Sequence, residues 1–570
     1  MSLKKNDDVR LVIEDMTSEG SSVGHYDSQA VFVRGTVTGD DVLAHIIKAK
    51  KNYAIGVVKD IITPSPDRIK SDCPVSDKCG GCSFRNMTYD AEIRYKYNRV
   101  ADAVARIGHI DAPVRDVIRA DKVDFYRNKA QYPVSIENGE LAYGFYAYKS
   151  HRIVPCTDCR LQSPDFQPCL DAFKKWVKKN NISSYDEKSG RGLLRHIYLR
   201  QAFATGEIMA CAVINGERLP DSDYLVSLLS KNKKVKSVCF NVNKQPTNVI
   251  LGDKTVPLYG SETICDVLLG KKFLISPESF YQVNHAQCEK LYKKAAEYAN
   301  LSGNETVIDL YCGAGTIGLS MADKANKIYG VEIVPQAVEN AKKNAEINGI
   351  TNAEFFCGDA FDAAKMLENK GVIPDVLILD PPRKGCQKEL FDVVKKMSPK
   401  QIVYVSCDPA TLARDLALLA LKGYKTLELT PVDMFPRTPH IETVALNYRS
   451  NFMALFSRNK KEKNTPDWSD AYIASPKFYS KPDGTPFGAI ALSDNTKTVL
   501  PKTPQSSYAI DSKPVMDWRL VFVGASQGGI IGDTDYFTAL NKLEKYILDS
   551  NDTALLVKAL SSDEIKFLCD

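Results

Sequence analysis

The sequence predicts a multidomain protein with a small all-β module, a β-rich central region, a parallel α/β domain and an α+β C-terminal extension. Three observations lead to this fold class. The chain has 570 residues, enough for about three to five domains of ordinary size. Its 44% apolar and 25% charged residues are typical of globular proteins. Its apolar pattern changes from short alternating runs to strands that alternate with helical periods.

Four regions follow one another along the chain. Residues 1–62 carry short alternating runs between turn residues and predict the all-β module. Residues 63–270 are strand-rich and hold most of the clustered cysteines, whereas residues 271–455 alternate strands with helices, which is typical of a parallel sheet. From residue 456 the chain is rich in proline, which predicts a linker to about residue 515 and then a small α+β unit.

Several classes of protein are excluded. No apolar run reaches the roughly 18–20 residues of a membrane helix, and the polar start MSLKKNDDVR lacks the apolar core of a signal peptide. Fifteen cysteines without such a signal indicate a reducing compartment, so we expect a cytoplasmic protein with no membrane partner. The net charge of +5 does not by itself indicate a nucleic-acid partner, and nothing in the sequence identifies a protein partner.

The α/β region contains a glycine-rich turn between a strand and a helix. Gly313, Gly315 and Gly318 form a G-x-G-x-x-G motif, in which glycine allows a tight turn and the close approach of a ligand to the backbone. Glu332 follows 19 residues after Gly313, at the end of the second predicted strand, where a carboxylate suits a ribose diol. This pattern fits NAD and S-adenosylmethionine (SAM) equally.

Two carboxylates favour SAM over NAD. Asp309 precedes the glycines in the segment DLYCGAG and can meet the ammonium group of the SAM aminopropyl chain. Asp380 ends the fourth predicted strand in the segment LDPPR, at the sheet edge where ligands bind in open α/β folds. The prolines after it form a rigid rim with few donors, which can admit a flat base beside the methyl donor.

A cysteine and a glutamate are candidates for the chemistry at this edge. Cys407 follows the next strand in the segment SCDP and is a candidate nucleophile, because an exposed thiolate is reactive. Glu442 lies at the entry of a later apolar strand and is a candidate general base whose pKa would be raised by burial. His440 is a candidate to assist it.

A third motif lies in the central region, where Cys73, Cys79 and Cys82 have the spacing C-x5-C-x2-C. With a fourth thiolate from elsewhere in the chain, they can hold Zn²⁺ or a [4Fe–4S] cluster. The residue types alone do not choose between these two.

Six segments together resemble the RNA uracil-5-methyltransferase family. They match it in order and spacing over roughly residues 10–455 and are SPESFYQVN (276–284), DLYCGAGTIGL (309–319), GVEI (330–333), LDPPRKG (379–385), SCDPATLARD (406–415) and FPRTPHIE (435–442). The resemblance implies that residues 271–455 form a Rossmann-like SAM methyltransferase domain. It also implies that Cys407 is the nucleophile and Glu442 the proton acceptor. The side chains implied to contact SAM are Gln282, Tyr311, Glu332 and Asp380.

The resemblance extends to the two preceding regions. It implies a [4Fe–4S] cluster in the central domain, with Cys159 as the fourth ligand and Cys156 as a competing candidate. Residues 1–62 resemble the TRAM domain, an OB-like β-barrel that binds RNA, in the segment EGSSVGHYDSQAVFVRGTVTGDDV. Because the family's tRNA-specific members usually lack this domain, we expect 23S rRNA as the substrate rather than tRNA. Four lysines are candidate phosphate contacts: Lys48, Lys50, Lys51 and Lys59.

The chemistry of C5 methylation explains these residue types. C5 of uracil is a poor nucleophile, and addition of a thiolate at C6 makes it an enolate-like carbon that can attack the SAM methyl group. A base must then remove the C5 proton before the thiol is eliminated, so one thiol and one base suffice. The target base must leave its stack. Phe280 and Tyr281 are candidates to stack on it or hold it, and packing in the core is the alternative for both.

Four other functions are alternatives. Methylation of a tRNA uridine uses the same residues, and RNA cytosine-5 methylation shares the thiolate chemistry, with Cys386 as a candidate second cysteine. An NAD-dependent oxidoreductase would use the glycine-rich turn, and a non-enzymatic iron–sulfur protein would bind RNA without methyl transfer. The extension over residues 456–570 resembles no part of this family.

Overall fold

The computed structural model describes residues 3–450 and a set of strands between residues 472 and 530. The chain divides into two compact units, Met1–Ala454 and Leu455–Asp570. The first unit contains a closed barrel, two seven-stranded sheets and a two-stranded sheet. Within the described residues, no helix is both long enough and apolar enough to cross a membrane.

The N-terminal region is a closed barrel of five strands in the order β1-β2-β3-β5-β4. Its inward-facing side chains are small and branched apolar residues at alternate positions, as the short alternating runs predict. Closure of the barrel removes the free sheet edges. The strands are β1 (Asp8–Met16), β2 (Ser22–Tyr26), β3 (Gln29–Arg34), β4 (Asp41–Ala49) and β5 (Tyr53–Thr63).

Helix α1 (Tyr89–Arg106) follows the barrel and the cysteine-bearing segment. Its N-terminus is capped by Thr88, whose hydroxyl accepts the N–H of Ala91 at 3.3 Å. Apolar residues of α1 pack into the core of the α/β domain. Glu92 and Lys96 on the same helix are fully buried, and buried charges require ionic or hydrogen-bonding partners.

The central region is built on a seven-stranded sheet in the order β12-β11-β10-β9-β6-β7-β8. Neighbouring strands pair antiparallel except β10 and β11, which are parallel. Helices α2 (Gln167–Lys179) and α3 (Ser222–Leu229) pack against the sheet over a core that includes the fully buried Trp176. The strands are β6 (Lys129–Glu137), β7 (Glu140–Tyr146), β8 (Ile153–Pro155), β9 (Leu194–Gln201), β10 (Ile208–Ile214), β11 (Val235–Val242) and β12 (Lys254–Gly260).

The α/β domain contains a second seven-stranded sheet in the order β17-β16-β15-β18-β19-β21-β20. Its first five strands are parallel, and β21 runs antiparallel to both β19 and β20. The strand order reverses between β15 and β18, which is where ligands bind in open α/β sheets. The strands are β15 (Thr306–Leu310), β16 (Lys327–Glu332), β17 (Ala353–Cys357), β18 (Val376–Leu379), β19 (Gln401–Ser406), β20 (Tyr424–Val432) and β21 (Glu442–Arg449).

Six helices belong to this domain, and a two-stranded sheet precedes it. Helix α6 has proline as its first residue and buries Val338, Ala341 and Ala345 on one face. The two-stranded sheet pairs β13 (Ile264–Leu268) with β14 (Lys271–Ile275). The helices are α4 (His285–Ala299), α5 (Thr316–Ser320), α6 (Pro335–Ile347), α7 (Ala360–Asn369), α8 (Leu390–Met397) and α9 (Pro409–Leu421).

The described strands of the second unit form two small sheets. In one of them β24 pairs with β22, β23 and β25, and in the other β26 pairs with β27. Three of these strands fall in the stretch whose prolines predict a linker, and the helix of the expected α+β unit lies outside the described residues. The strands are β22 (Tyr472–Ile473), β23 (Lys477–Ser480), β24 (Pro486–Ser493), β25 (Trp518–Val523), β26 (Ala525–Ser526) and β27 (Gly529–Ile530).

Candidate active site

The turn after β15 depends on two glycines in the left-handed region. Gly313 has φ of 55° and Gly315 has φ of 78°, values that other residues adopt only at an energetic cost. A Cβ on Gly315 would also lie 3.1–3.2 Å from the side chains of Leu319 and Phe355. Tyr311, at the start of the turn, is left-handed without being glycine, with φ of 67°. Such strained residues concentrate at ligand sites.

Two carboxylates hold this turn in place. Asp309 Oδ2 accepts the N–H of Gly318 at 3.0 Å, and Glu332 Oε2 accepts the N–H of Gly313 at 3.1 Å. Glu332 therefore lies at the end of β16 beside the glycine turn, where the sequence predicts it. The second oxygen of Asp309, Oδ1, is buried and has no hydrogen-bond partner.

Asp309, which is buried, and Asp380, which is half-buried, are acids at the carboxyl edge of the sheet. Burial raises the pKa of each to about 7, and the nearby charges of Asp380 and Glu332 add to the increase in the pKa of Asp309. A bound cation would favour the ionised form of both groups. The unpartnered Oδ1 of Asp309 and these raised pKa values therefore fit a cationic ligand, and SAM carries both an ammonium and a sulfonium group.

The loop between β14 and α4 carries the segment SPESFYQVN. Phe280 in this loop is 71% exposed and is free to stack on a base. Tyr281 is 5% exposed and its hydroxyl donates to Asp266 at 3.2 Å, so it belongs to the core and the stacking role expected for it is wrong. Gln282 is half-buried, and its backbone carbonyl accepts Asn128 Nδ2 at 2.9 Å.

A buried arginine that the sequence does not single out shapes the same loop. Arg200 on β9 is fully buried, and its Nη1 donates to the carbonyl oxygens of Ser276 at 3.1 Å and Ser279 at 2.7 Å. Charge-assisted bonds to two carbonyls fix the loop between them. No local pattern predicts this role, because Arg200 lies in a strand of a different domain.

The register of two strands sets Cys407 beside Glu442. Strand β19 pairs antiparallel with β21, and its last residue, Ser406, pairs with Thr443. Continuing this register by one residue brings Cys407, which follows β19, opposite Glu442, which starts β21. Helix α9 begins at Pro409, and its cap Asp408 directly follows Cys407, with the Asp408 carboxylate accepting the N–H of Thr411 at 2.9 Å.

The surroundings of Cys407 and Glu442 disfavour the ionised form of both side chains. Burial, followed by the carboxyls of Glu442 and Asp380, raises the pKa of Cys407 to about 11, with Arg383 acting in the opposite direction. Glu442 is 4% exposed, and burial together with Asp380 raises its pKa well above the ordinary value. Burial and Arg383 lower the pKa of His440 to about 4, so His440 is neutral near pH 7 and cannot serve as a cationic partner.

The connection between β20 and β21, residues 433–441, is called the catalytic loop below. Side chains from several distant parts of the chain donate to its backbone carbonyls. These bonds are Asn284 Nδ2 to Met434 at 3.1 Å, Tyr126 hydroxyl to Pro436 at 2.9 Å and Arg99 Nη1 to Pro439 at 2.6 Å. The N–H groups of Ser83 and Phe84, just after Cys82, donate to the Arg437 carbonyl at 3.0 and 3.2 Å.

Comparison with known proteins identifies relatives over most of the chain. A family model described as tRNA (Uracil-5-)-methyltransferase matches residues 268–449, and the TRAM domain model matches residues 4–59. An uncharacterized RNA methyltransferase of Clostridium tetani is 44% identical over 445 residues, which covers 78% of this chain and 97% of that protein. One of Halalkalibacterium halodurans is 46% identical over 446 residues, with the same shares covered.

The chain belongs to the RNA uracil-5-methyltransferase family. A solved structure agrees with this: the Pyrococcus abyssi tRNA (uracil-54, C5)-methyltransferase in complex with S-adenosyl-L-homocysteine is 27% identical, with a TM-score of 0.63, over 77% of this chain and 99% of that one. The protein is thus a SAM-dependent RNA methyltransferase with an N-terminal TRAM domain. The alternatives of an NAD-dependent oxidoreductase and a non-enzymatic RNA-binding protein are wrong.

The C-terminal extension of the methyltransferase has a match of its own. Residues 449–568 match a family model described as Domain of unknown function (DUF4299). This match begins where the uracil-5-methyltransferase model ends, at residue 449. The extension therefore matches a different model from the one that the methyltransferase domain matches.

In the central region of the methyltransferase, one cavity of about 310 Å³ is lined by all the cysteines that the sequence singles out there. Cys156 is buried and forms a hydrogen bond with Cys159. In the part of the chain that the structure describes, no three His, Cys, Asp or Glu side chains are grouped as they would be around a metal ion. The cysteines of the cavity are Cys73, Cys79, Cys82, Cys156 and Cys159.

The TRAM barrel presents three of its four candidate phosphate contacts to solvent without a described ion pair. Lys48, Lys50 and Lys51 are exposed at the end of β4 and the turn after it. Lys59 is also exposed but pairs with Asp8. A polyanion such as RNA would therefore meet the first three lysines at full charge, whereas Lys59 is partly neutralised.

Proposed function

We propose that this methyltransferase modifies C5 of a uridine in 23S rRNA through a covalent adduct with Cys407. The observation that carries the proposal is the β19–β21 register, in which Ser406 pairs with Thr443 and Cys407 follows beside Glu442. A thiol and a carboxylate side by side match the two tasks of C5 methylation, which are addition at C6 and removal of the C5 proton.

Cys407 acts first in the proposed mechanism. Its thiol loses its proton to solvent, and the sulfur bonds to C6 while the C5=C6 electron pair moves into an enolate. SAM supplies the methyl group that C5 acquires. Glu442 then removes the C5 proton, the double bond forms again and Cys407 leaves as the thiolate. Glu442 must be ionised at this stage, because only the carboxylate can accept a proton.

The acidic surroundings give the cofactor a second role. Cys407, Asp380 and Glu442 repel one another as anions, and this repulsion adds to burial in raising the pKa of Cys407 and Glu442. A cationic cofactor held at Asp309 and Asp380 would lower these pKa values. We therefore expect the thiolate of Cys407 to be favoured once the cofactor site is filled, so that the nucleophile is activated in the ternary complex.

Two surfaces support a structured RNA as the substrate. Phe280 exposes its ring on the loop that bears Gln282, where it can stack on a base that has left its helix. Lys48, Lys50 and Lys51 of the TRAM barrel are exposed for contact with phosphates. The second candidate substrate is tRNA, because the similar Pyrococcus abyssi enzyme is named a tRNA methyltransferase.

We also propose that Cys73, Cys79, Cys82 and Cys159 hold a [4Fe–4S] cluster. Their position around one cavity supports four thiolate ligands, and Arg85, Arg127 and Lys129 on its wall suit the negative charge of a thiolate-ligated cluster. Methyl transfer needs no electron, so the role of these cysteines would be structural. Cys156 would then be a fifth thiol that hydrogen-bonds to a ligand sulfur.

The deciding experiment uses RNA transcribed with 5-fluorouridine, incubated anaerobically with the protein and SAM. Fluorine cannot leave C5 as a proton, so a uracil-5 enzyme stalls as a covalent adduct that survives denaturation. Fragments of 23S rRNA and a tRNA pool are tested in parallel, with Cys407→Ala as the control. An adduct with the rRNA fragments that is lost in the control is expected, and mapping it gives the target nucleotide.

The other outcomes also decide between substrates and mechanisms. An adduct with tRNA alone would overturn the assignment to 23S rRNA but keep the mechanism. Methyl transfer to unmodified RNA without any adduct on fluorinated RNA would overturn the covalent mechanism. Methylcytidine rather than methyluridine in the digested product would show that the substrate nucleotide is cytidine and not uridine.

A further inference from the structure

A buried ionic cluster lies between helix α1 and the catalytic loop. It consists of Glu92 and Lys96 from α1 with Asp433 and Arg437 from the loop. Glu92, Lys96 and Asp433 are 0% exposed, and Arg437 is 9% exposed. Two carboxylates face two cations, so the cluster as a whole is neutral.

Lys96 is the centre of this cluster. Its Nζ lies 2.7 Å from Glu92 Oε1, 2.6 Å from Asp433 Oδ1 and 3.2 Å from the carbonyl oxygen of Phe435. An ammonium group has three hydrogens to donate, and here each has an acceptor. Two of the three acceptors belong to the first residues of the catalytic loop, so Lys96 ties that loop to a helix 337 residues away in sequence from Asp433.

The other members of the cluster complete the attachment. Glu92 Oε1 also accepts the backbone N–H of Arg437 at 2.7 Å, and Asp433 Oδ2 accepts the hydroxyl of Tyr89 at 2.8 Å. Each carboxylate thus contacts Lys96 and a second donor. Without Lys96, Glu92 and Asp433 would face each other as buried anions.

Stability alone does not account for such a cluster. A buried ion pair adds little net stability over well-packed apolar residues of the same size, because desolvation offsets the attraction between the charges. What an ionic cluster supplies is direction, since each bond has a required geometry. The loop that it directs begins at Asp433, directly after Val432, and Val432 pairs with Glu442 across the β20–β21 hairpin.

We propose that Lys96 is a positioning residue for proton removal, holding the catalytic loop so that the wall formed by Phe435 and His440 presents the target base to Glu442. Phe435 accepts the Lys96 bond through its carbonyl, and its ring lies edge-on to His440 at 6.2 Å between centroids. The inference rests on the proposed function, in which Glu442 takes the C5 proton after Cys407 has added to C6.

The test begins with Lys96→Met, which keeps the length of the side chain and removes its charge. We expect SAM affinity and formation of the adduct with 5-fluorouridine RNA to be retained, because neither needs the C5 proton to leave. Release of tritium from RNA labelled at C5 is expected to fall about 100-fold, the scale of a small misplacement of a reacting group. Arg94→Met is the matched control, since Arg94 lies on the same helix and pairs with Asp67 at the surface.

The double variant Glu92→Gln/Lys96→Met separates positioning from folding. It removes one carboxylate together with the cation, so the cluster stays neutral, and its thermal unfolding temperature is expected to recover relative to Lys96→Met. The loop would still lack the three directed bonds of Lys96, so tritium release should stay low. Recovery of both quantities together would show that Lys96 acts only on stability and would overturn the proposal.

A measurement that needs no RNA tests the attachment of the loop by Lys96 separately from the proposed function. Hydrogen–deuterium exchange of the free protein should be faster in residues 433–441 of Lys96→Met than in the wild type, with Arg94→Met unchanged. Unchanged exchange in this loop would overturn the positioning role of Lys96. Absence of any adduct in the wild type with both RNAs would instead overturn the function on which the role was built.

Discussion

Ser406 and Thr443 pair across the antiparallel junction of β19 and β21. The parallel part of the sheet ends at β19, so the next strand enters from the edge at which β19 leaves. Cys407 therefore lies where the chain leaves the sheet after β19, and Glu442 lies at the same sheet edge, where the chain enters β21. An all-parallel sheet would not bring the start of a strand to its carboxyl edge, and the antiparallel β21 is what places Glu442 beside Cys407.

Replacement of Cys407 by alanine should abolish turnover, because no adduct at C6 can form without the thiolate. We expect methyl incorporation to fall by about 1,000-fold or more. The measurement is transfer of labelled methyl groups to 23S rRNA fragments. Cys386→Ala is the matched control, because Cys386 is a buried thiol 3.6 Å from the Tyr404 hydroxyl. Activity of Cys407→Ala near that of the control would contradict the mechanism.

Replacement of Glu442 by glutamine should trap the enzyme after methyl transfer. The amide cannot take the C5 proton, so a methylated adduct with ordinary RNA should accumulate and be visible as a shifted band on a denaturing gel. Glu428→Gln provides the comparison. Glu428 is also a buried glutamate, but its partner is Arg115, whose Nε donates to it at 2.7 Å. Normal release of methylated RNA by Glu442→Gln would assign the base to another residue.

Alkylation of Cys407 should depend strongly on pH in the absence of ligands. Because burial, Glu442 and Asp380 raise its pKa to about 11, the thiolate fraction should increase about tenfold per unit between about pH 7 and pH 10. Glu442→Gln removes one of the anions that raise this pKa, so alkylation at fixed pH should become faster. The rate of iodoacetamide labelling at Cys407, followed by mass spectrometry, measures both effects. A flat profile would contradict the raised pKa.

SAM binding should be sensitive to a methyl group at Gly315. Gly315→Ala meets both an unfavourable φ of 78° and contacts at 3.1–3.2 Å with Leu319 and Phe355, so we expect a loss of SAM affinity and a lower free energy of unfolding. Gly371→Ala has a similar φ of 74° with nothing within 4 Å. It should lose only the backbone contribution of about 1–2 kcal/mol. Calorimetric titration with SAM separates the two variants, and equal affinities would argue against a tight turn at the cofactor.

Iron content should distinguish the two candidates for the fourth cluster ligand. Cys159→Ser is expected to lose iron and sulfide from the anaerobically purified protein, whereas Cys156→Ser should retain them, because in the proposed cluster Cys159 is a ligand and Cys156 its hydrogen-bonded neighbour. Zinc instead of iron in the wild-type protein would show that these cysteines hold a structural zinc ion and not a [4Fe–4S] cluster. Iron lost from Cys156→Ser and kept in Cys159→Ser would exchange the roles of the two cysteines.

Local patterns predict the parallel sheet because each strand is a short apolar run with a boundary residue at its end. The run at residues 376–379 coincides with β18, and Glu332 and Asp380 lie at the strand ends where the periodicity sets them. The same patterns favour SAM over NAD only with the help of Asp309, before the glycines, and Asp380, at the end of a strand, and both positions are again local.

Features that depend on distant partners could not be predicted in this way. In the sequence Lys96 is an ordinary helical lysine. Its role as the centre of a buried ionic cluster depends on Asp433, which is 337 residues away. The role of Arg200 is equally unpredictable from the sequence, because the loop that it holds belongs to another domain. For Tyr281 the sequence suggests a contact that the structure does not show. An aromatic residue in the segment SPESFYQVN suggests contact with a base, but the Tyr281 hydroxyl donates to Asp266 in the core.

The attachment of the Arg437 carbonyl to Ser83 and Phe84 has a consequence for the order in which the protein matures. The TRAM barrel and the cysteine-bearing segment emerge early in synthesis, whereas the catalytic loop and β21 emerge among the last residues of the first unit. Contacts so far apart in sequence are slow to form, because a long loop must close before they gain any stability. A nascent chain can therefore fold its barrel early but assemble Cys407, Glu442 and their supports only after residue 449 has been added.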